Sequence, residues 1–406
     1  MRSMNKRVII QHRDILCQRW FIWVAFIVAI QPDLIISKTL VAQIINVASL
    51  FVFTIICINI LHKRVIKVDK ILLFIFLTLF CLIVSSFLNS ANVVYALRRL
   101  IIVMSICIIT NINLQVNTQY FVMTVYWILY SMVFINFITM LLYPNGIYYS
   151  YYDYYGTQVA YLRHWFLGAG NNLVLVILPA FFVNQIRLHK IGKKIDFQTV
   201  LLWGMGIYGV VYTGAATSMI AIIAFIIFAA LLEWKNVPMP SLKVYVILGV
   251  AIFALIVFFD VANVFSGVLS ALFGADVTFT GRTRTWATAI EWIKKRPLTG
   301  YGFEYAATMI SKFNDNTATH CHNLYLDLVY RSGIISLIFF LTVLFKCARP
   351  LKRFKENRIS VLLSFTIFLY LGILFQMEAY FNMSMFYVIL IFAANIQSLD
   401  ALIKDD

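Results

Sequence analysis

Long apolar runs, each close to the length of a membrane span, alternate with short polar segments along almost the whole chain. A hydrocarbon core about 30 Å thick needs roughly 20 apolar residues per helical span. The pattern predicts an all-α polytopic membrane protein with about twelve transmembrane helices. The predicted spans are 20–36, 39–61, 71–88, 93–110, 120–142, 167–186, 198–213, 215–232, 243–261, 323–345, 359–377 and 381–400.

Two of these assignments carry alternatives. The segments 198–213 and 215–232 are short, and they predict either a helical hairpin or one long broken helix. No Ala-x-Ala-like cleavage site follows the first span. We therefore expect that span to be a retained helix rather than a signal peptide.

Composition and charge agree with a membrane protein. Hydrophobic residues make up 62% of the 406 residues, charged residues 12%, and the mean hydropathy is +0.87, whereas soluble domains carry about 25% charged residues. The net charge of +16 raises the possibility of a nucleic-acid partner. However, most of the 33 Lys and Arg residues fall in segments that share one side if the N-terminus is cytoplasmic. This is the positive-inside pattern, and it predicts that both termini are cytoplasmic and that nucleic acid is not a partner.

A smaller group of basic residues falls outside or within the membrane, where the orientation rule does not explain them. These residues are Lys38, Arg98, Arg99, Arg163, Arg282, Arg284, Lys294, Lys295, Arg296, Lys312 and Arg331. They are the cations that could bind an anionic substrate.

The chain lacks repeats and low-complexity linkers, so we expect a single integral membrane domain over 1–406. Spans 1–9 cover 20–261, and spans 10–12 cover 323–400. Two larger external segments are predicted, 143–166 and 262–322. A long loop with its own structure is usually functional, so we expect 262–322 to be the catalytic loop.

A short helix is predicted inside the second external segment, over 283–295. Trp286, Ile290 and Ile293 form its apolar stripe, and Pro297 ends it. The cations of 294–296 fall at its C-terminus, where the helix dipole favours them. Arg282 and Arg284 fall at its N-terminus, where two cations are favourable only with an anion, so they predict a phosphate site.

The first external segment offers further candidates. Arg163 is either a ligand for an anion or a membrane-interface arginine that extends to the polar region, and His164 follows it. The eight tyrosines between Tyr143 and Tyr161 would suit sugar stacking, but we favour an aromatic belt at the interface.

Three charged residues lie near the outer ends of other spans. Asp33 follows the first span and Pro32, so it is either a functional carboxylate or an interfacial turn residue, and we favour the turn. Arg98 and Arg99 lie near the outer end of the fourth span, where one could line a cavity and the other could anchor the helix.

The sequence Thr-His-Cys-His-Asn at 319–323 opens the tenth span. His320, Cys321 and His322 suggest zinc, but ligands so close together rarely complete a tetrahedral site, and no further ligand motif accompanies them. We therefore expect no metal. Cys321 is the only cysteine predicted to face outward, so we expect it to have no disulfide partner.

His322 is the candidate general base for a hydroxyl near pH 7. Asn323, Asp327 and Arg331 recur every four residues along the next helix. Asp327 and Arg331 therefore predict an i, i+4 ion pair with a structural role.

The stretch from Gly281 to Gly333 resembles the O-antigen ligase and Wzy-type polysaccharide polymerase superfamily. The residues that carry the resemblance are Gly281-Arg282, Trp286, Pro297-Leu298-Thr299-Gly300-Tyr301-Gly302, His322-Asn323 and Gly333, together with Arg163, Gly168, Asn171 and Asn172 earlier in the chain. The chain departs from the family where many members carry Ser-Arg or Thr-Arg at the start of a central span, because Met219 follows Ser218 here.

The resemblance implies a GT-C-like glycosyltransferase bundle with a large external loop between spans 9 and 10. It implies an undecaprenyl-diphosphate-linked glycan as donor and another as acceptor, membrane lipids around them, a chain-length regulator as a partner, and no cofactor. Arg282, with Arg163 and Arg284, would bind the diphosphate, and His322 would activate the acceptor. Asn323, Asp33, Arg98 and Arg99 are supporting candidates.

Three functions compete on this basis. A repeat-unit polymerase at the outer face of a bacterial plasma membrane is favoured, acting by metal-independent inverting transfer. A ligase that transfers finished polymer to lipid A core uses the same donor. A lipid-linked oligosaccharide flippase would show charges near mid-membrane and repeat symmetry, whereas the charges of this chain cluster at the outer face.

Overall fold

The computed structural model describes residues 14–37, 39–63, 70–154, 158–234, 240–258, 279–315, 318–379 and 383–404. The part of the second external segment from 262 to 278, and Lys38, lie outside these residues. The helices before the first external segment are α1 (Arg19–Ile30), α2 (Asp33–Ile36), α3 (Thr39–Lys63), α4 (Lys70–Leu88), α5 (Val93–Val116) and α6 (Thr118–Leu142).

A β-hairpin, β1 (Tyr148–Tyr154) and β2 (Gln158–His164), separates these helices from the rest. The helices that follow are α7 (Val174–Lys190), α8 (Phe197–Tyr212), α9 (Ala216–Trp234), α10 (Leu242–Phe258), α11 (Phe279–Lys295), α12 (Ala306–Phe313), α13 (Leu324–Arg353), α14 (Arg358–Leu369), α15 (Phe375–Met377), α16 (Ser384–Ala394) and α17 (Ile396–Lys404). Short 3₁₀ turns occupy Ile15–Cys17 and Gly170–Leu173, and a π turn occupies Tyr370–Leu374.

Each predicted span coincides with an apolar helix, but the helices differ in length. Among the described residues, seven helices are long and apolar enough to cross a membrane, or eight if α16 and α17, which bend by 69° at their junction, form one span. The helices α1, α8, α9 and α10 are apolar but have only 10–17 residues in their apolar parts. The protein is therefore a multi-pass helical membrane protein, and twelve full spans remain a prediction. Residues 198–232 form two helices, α8 and α9, rather than one broken helix.

The first external segment adds a β-hairpin to the helical bundle, because β1 and β2 pair antiparallel with Tyr148 opposite His164. Five of the seven residues of β1 are tyrosines, and aromatic residues favour strands. The sequence analysis considered these tyrosines as a surface for sugar stacking or as an interfacial belt, and it did not predict the strands. The side chains from 151 to 161 lie outside the described residues. The prediction of an interfacial belt can therefore be compared with the structure only at Tyr143, Tyr148 and Tyr149.

The segment 297–302 lies across a break in α13. Gly333 interrupts the helix with φ 77 and ψ 170, and Ile334 N donates to Pro297 O at 2.8 Å. A Cβ on Gly333 would lie 1.9 Å from Leu298 O, and a Cβ on Gly300 would lie 2.6 Å from Tyr330 O. The glycines of the motif are therefore required by close backbone packing.

A small second core forms beneath this crossing, apart from the main core between the spans. Its fully or nearly fully buried members come from α11, α12, the 297–302 segment, the Thr-His-Cys-His-Asn segment and α13: Trp286, Tyr301, Met309, Cys321 and Tyr330. The apolar stripe predicted for α11 is confirmed, because Trp286 is 1% exposed and Ile290 and Ile293 pack against this core. The described part of the second external segment thus packs on α13, and it is also bonded to the end of α4, because Phe303 N donates to Ser86 Oγ at 2.9 Å.

Candidate active site

The segment before α13 turns sharply at His322. Asn323 caps the helix, because its Oδ1 accepts hydrogen bonds from the backbone N–H groups of Tyr325 at 3.0 Å and Leu326 at 3.2 Å. Its Nδ2 donates to Gln376 O at 3.1 Å, which ties the cap to the end of α15. His322 itself has φ 47, in the left-handed region that few residues other than glycine adopt.

Two buried charges hold this segment against α13. Arg331 Nε donates to Asp327 Oδ2 at 2.9 Å, which confirms the predicted i, i+4 pair. Asp327 Oδ1 accepts from Cys321 N at 3.1 Å, and Arg331 Nη2 donates to Thr319 O at 3.1 Å. The pair therefore has a structural role. Cys321 is fully buried, and burial raises the pKa of its thiol.

Glu378, which directly follows α15, lies against both His320 and His322. His320 Nε2 is in hydrogen-bond contact with Glu378 Oε1, and His322 Nδ1 lies 3.5 Å from the same oxygen. The two imidazole rings are 4.1 Å apart between centroids. The sequence analysis missed Glu378, although it is the only acidic residue in the short segment between the predicted spans 359–377 and 381–400.

The two histidines differ in how their ring nitrogens are occupied. His320 is 9% exposed and contacts Thr319 Oγ1 at 3.0 Å through Nδ1 as well as Glu378 through Nε2. His322 has 19% of its side chain exposed, and its Nδ1 is buried with no hydrogen-bond partner. His322 is therefore the histidine better placed to exchange a proton with an incoming group.

The environment of His322 favours the neutral ring. Burial lowers its pKa below the ordinary value of 6.5, and the charges of His320 and Arg282 act in the same direction, while Glu378 opposes them. Burial raises the pKa of Glu378, but contact with His320 and His322 outweighs burial and holds that pKa well below its usual range. At neutral pH the site thus pairs a neutral imidazole with a carboxylate.

The same three residues could hold a metal ion. One ligand atom from each of His320, His322 and Glu378 lies within 4.8 Å of the others, and two histidines with a carboxylate are a known zinc ligand set. The premise that no further ligand accompanies the histidines was therefore wrong. The sequence could not show it, because Glu378 lies more than fifty residues away.

The described part of α11 begins at Phe279, so Arg282 is its fourth residue, at the end of the first turn, and Arg284 is its sixth. The dipole acts mainly within the first turn. Arg282 is partly buried and close enough for its charge to act on His322, whereas Arg284 is exposed. The predicted C-terminal positions of Lys294 and Lys295 are confirmed.

Asp33, Arg98 and Arg99 line one cavity of about 400 Å³ between α1, α2, α5, α7 and α16. Tyr95, which also lines it, stacks on Phe303 at 3.9 Å between ring centroids. The cavity therefore adjoins the segment that follows the glycine motif. The expectation that only one of the two arginines lines a cavity was wrong.

Arg163 is exposed on β2. His164 Nδ1 lies 2.6 Å from Asp33 Oδ2, and Tyr148 Oη donates to the same oxygen at 2.6 Å. Tyr148 also stacks on His164. Asp33 opens α2 directly after Pro32, which agrees with the interfacial turn, and it additionally fastens the hairpin to the helices.

The helix α9, whose first residues depart from the family pattern, begins beside Asn171. Thr217 Oγ1 and Ser218 Oγ donate to Asn171 Oδ1 at 3.0 and 3.1 Å. Met219 packs against the main core.

The apolar helices define a multi-pass helical membrane protein. Residues 200–341, which contain Arg282, the glycine motif and His322, match the family model described as O-antigen ligase. Over this region the chain is similar to that family.

A curated relative agrees with this placement. The exopolysaccharide production protein ExoQ of Rhizobium meliloti (strain 1021) is 32% identical over 99 residues, which are 21% of this chain. The match spans about a fifth of that relative's length, 22%. No solved structure matches.

Proposed function

We propose that this protein is a polysaccharide repeat-unit polymerase that joins glycans carried on undecaprenyl diphosphate at the outer face of the bacterial plasma membrane. The observation that carries the proposal is the placement of a neutral, partly exposed His322 against Glu378, within range of the charge of Arg282. The family match covers two of these three residues, His322 and Arg282.

The proposed chemistry is direct displacement at the donor sugar. The acceptor hydroxyl gives its proton to His322, and its oxygen attacks C1 of the donor. The bond from C1 to the diphosphate oxygen breaks, and the diphosphate leaves on its lipid. A single displacement inverts the anomeric centre. Glu378 holds the imidazole and stabilises the protonated ring that forms.

The leaving diphosphate needs its growing negative charge neutralised. Arginine guanidinium groups can do so by bidentate contact without a metal ion. We assign this role to Arg282, with Arg284 and the hairpin residue Arg163. The acceptor is a second lipid-linked glycan, and a chain-length regulator is a partner of the assembly. Both termini face the cytoplasm in this proposal.

Complementation of a deletion strain tests these roles. General-base help contributes about 10²–10⁴-fold, and charge stabilisation is often larger. We therefore expect Arg282→Ala to shorten the glycan at least as severely as His322→Ala, as judged by gel profile. Lys294→Gln is the matched control, because it removes one charge from the exposed end of the same helix. Near-normal chain length with Arg282→Ala would show that Arg282 does not bind the diphosphate.

A ligase is the second candidate, because the matching family model is described as O-antigen ligase. Both enzymes need the same donor site and differ in the acceptor. The deletion phenotype separates them, since loss of a polymerase leaves single repeat units on the acceptor, whereas loss of a ligase leaves polymer on the carrier lipid.

A further inference from the structure

The cavity between α1, α2, α5, α7 and α16 combines charged and apolar walls. Arg98 and Arg99 lie on the outer part of α5, within its first two turns, and both are partly buried. Ionisable residues inside a span are costly and usually mark a substrate path. Within the described part of the chain, Arg98 makes no hydrogen bond or ion pair that would explain its burial.

Gln31 adds an independent observation. It caps the C-terminus of α1 with φ 50, a conformation that is strained for a residue with a side chain. Its Nε2 is buried and has no hydrogen-bond partner, although the residue lines the cavity. A buried donor left unpaired is unfavourable. A ligand that brings acceptor oxygens into the cavity would satisfy it.

The one carboxylate in the cavity wall is already engaged. Asp33 Oδ2 contacts His164 Nδ1 and accepts from Tyr148 Oη. Arg98 and the Gln31 Nε2 therefore lie at the cavity without a hydrogen-bond partner among the described residues, and Arg99 lines the cavity beside them. Phosphate groups match this donor set, because guanidinium groups bind them with bidentate geometry.

Most of the remaining wall is apolar, and Asn172 and Ser384 are its polar members. Ile102, Val176 and Met385 line it, as does Ala42 of α3. Beside Ala42, Leu40 is 70% exposed and Ile44 is 58% exposed, as expected for a helix that faces lipid. The volume of about 400 Å³ falls in the range of small-molecule sites. The charged and apolar walls together match an amphiphilic ligand with a phosphate at one end.

We propose that Arg98, Arg99 and Gln31 bind the diphosphate of a polyprenyl diphosphate whose isoprenoid chain follows the apolar wall towards α3. The choice of this carrier among phosphate-bearing lipids rests on the proposed function, whereas the phosphate chemistry rests on the cavity alone. The site is separate from His322 and Glu378, and it adjoins the glycine-motif segment through the stacking of Tyr95 on Phe303. The donor diphosphate stays with Arg282, so the lipid bound in this cavity is the carrier of the acceptor glycan.

Binding to the purified protein in detergent tests the proposal without any turnover. The probe is a fluorescent polyprenyl diphosphate that carries no sugar. Loss of charge-assisted hydrogen bonds is expected to raise the Kd of the Arg98→Gln/Arg99→Gln double variant by about tenfold or more. Gln31→Glu, which keeps the shape and adds a negative charge, is also expected to weaken binding. Lys294→Gln is expected to bind as the wild type does.

The competitors identify the source of the phosphate. Polyprenyl diphosphate without the label should displace the probe, whereas polyprenol, inorganic diphosphate and phosphatidylglycerol should do so at least tenfold less well. Equal displacement by phosphatidylglycerol or by inorganic diphosphate would overturn the assignment to the carrier lipid. Should the double variant not fold, Gln31→Glu and the single Arg98→Lys and Arg99→Lys variants serve instead.

Wild-type affinity in every folded cavity variant would overturn the site itself. The binding test can fail or succeed independently of the test of the proposed function, which measures glycan extension. A protein that binds the probe through Arg98 and Arg99 but does not extend glycans would retain this site and lose the polymerase assignment.

Discussion

At the scale of single residues, we expect the protonation state of His322 to determine the pH dependence of the reaction. The folded-state pKa of His322 is below 6.5 because of burial and the nearby charges of His320 and Arg282. As a base His322 acts in its neutral form, so the rate is lost as pH falls through this lowered pKa. We expect a kcat/KM profile whose acidic limb is centred below pH 6.5.

Replacement of the carboxylate moves this limb in a defined direction. Glu378 raises the pKa of His322, so Glu378→Gln is expected to shift the acidic limb to still lower pH and to reduce kcat. Glu291→Gln is the matched control, because Glu291 is exposed on α11. A limb that moves to higher pH, or that is the same in His322→Ala, would mean that another group titrates.

At the scale of elements, the crossing of 297–302 over α13 depends on Gly333. A Cβ there would meet Leu298 O at 1.9 Å, and its φ of 77 disfavours any side chain. Gly333→Ala is expected to cost about 3 kcal/mol or more in the free energy of unfolding, or to prevent folding. Gly204→Ala, in α8 with open space around it, should change the unfolding midpoint little. Equal stability of the two variants, measured in denaturant, would contradict this account of the motif.

The hairpin is fastened to the bundle by the hydroxyl of Tyr148. Tyr148→Phe removes the hydrogen bond to Asp33, which is expected to cost about 1.5–3 kcal/mol as a bond to a charged group. Faster proteolysis and hydrogen exchange over 143–166 would follow. Tyr143→Phe changes an exposed tyrosine at the start of the same segment, whose hydroxyl makes no hydrogen bond among the described residues, and it is expected to leave both rates unchanged. Identical rates in the two variants would show that this contact does not hold the hairpin.

The sequence predicted helices well and long-range partners poorly. Apolar runs located the spans because hydrophobicity is a local property, and the Asp327–Arg331 pair followed from helix geometry. Glu378 beside His322, His164 beside Asp33, and Gly333 beneath Leu298 each join residues far apart in sequence. No local pattern encodes those contacts. The described part of α11 begins four residues before the predicted start, so Arg282 lies at the end of its first turn and Arg284 lies beyond it.

At the scale of the whole molecule, the account makes the reaction independent of metal ions, although His320, His322 and Glu378 could ligate one. We expect the purified protein to keep its rate after treatment with EDTA and dialysis, because arginines neutralise the leaving group. A loss of activity that added Zn²⁺ restores would assign these three residues to a metal centre instead.

The most direct measurement uses the purified protein in detergent with a lipid-linked repeat unit as its sole substrate. Without a membrane to cross, turnover separates an enzyme from a flippase. The account predicts a ladder of longer lipid-linked glycans with inverted linkages from the wild type, and no ladder from His322→Ala or Arg282→Ala. No product from the folded wild type, retained linkages, or full activity in either variant would contradict it.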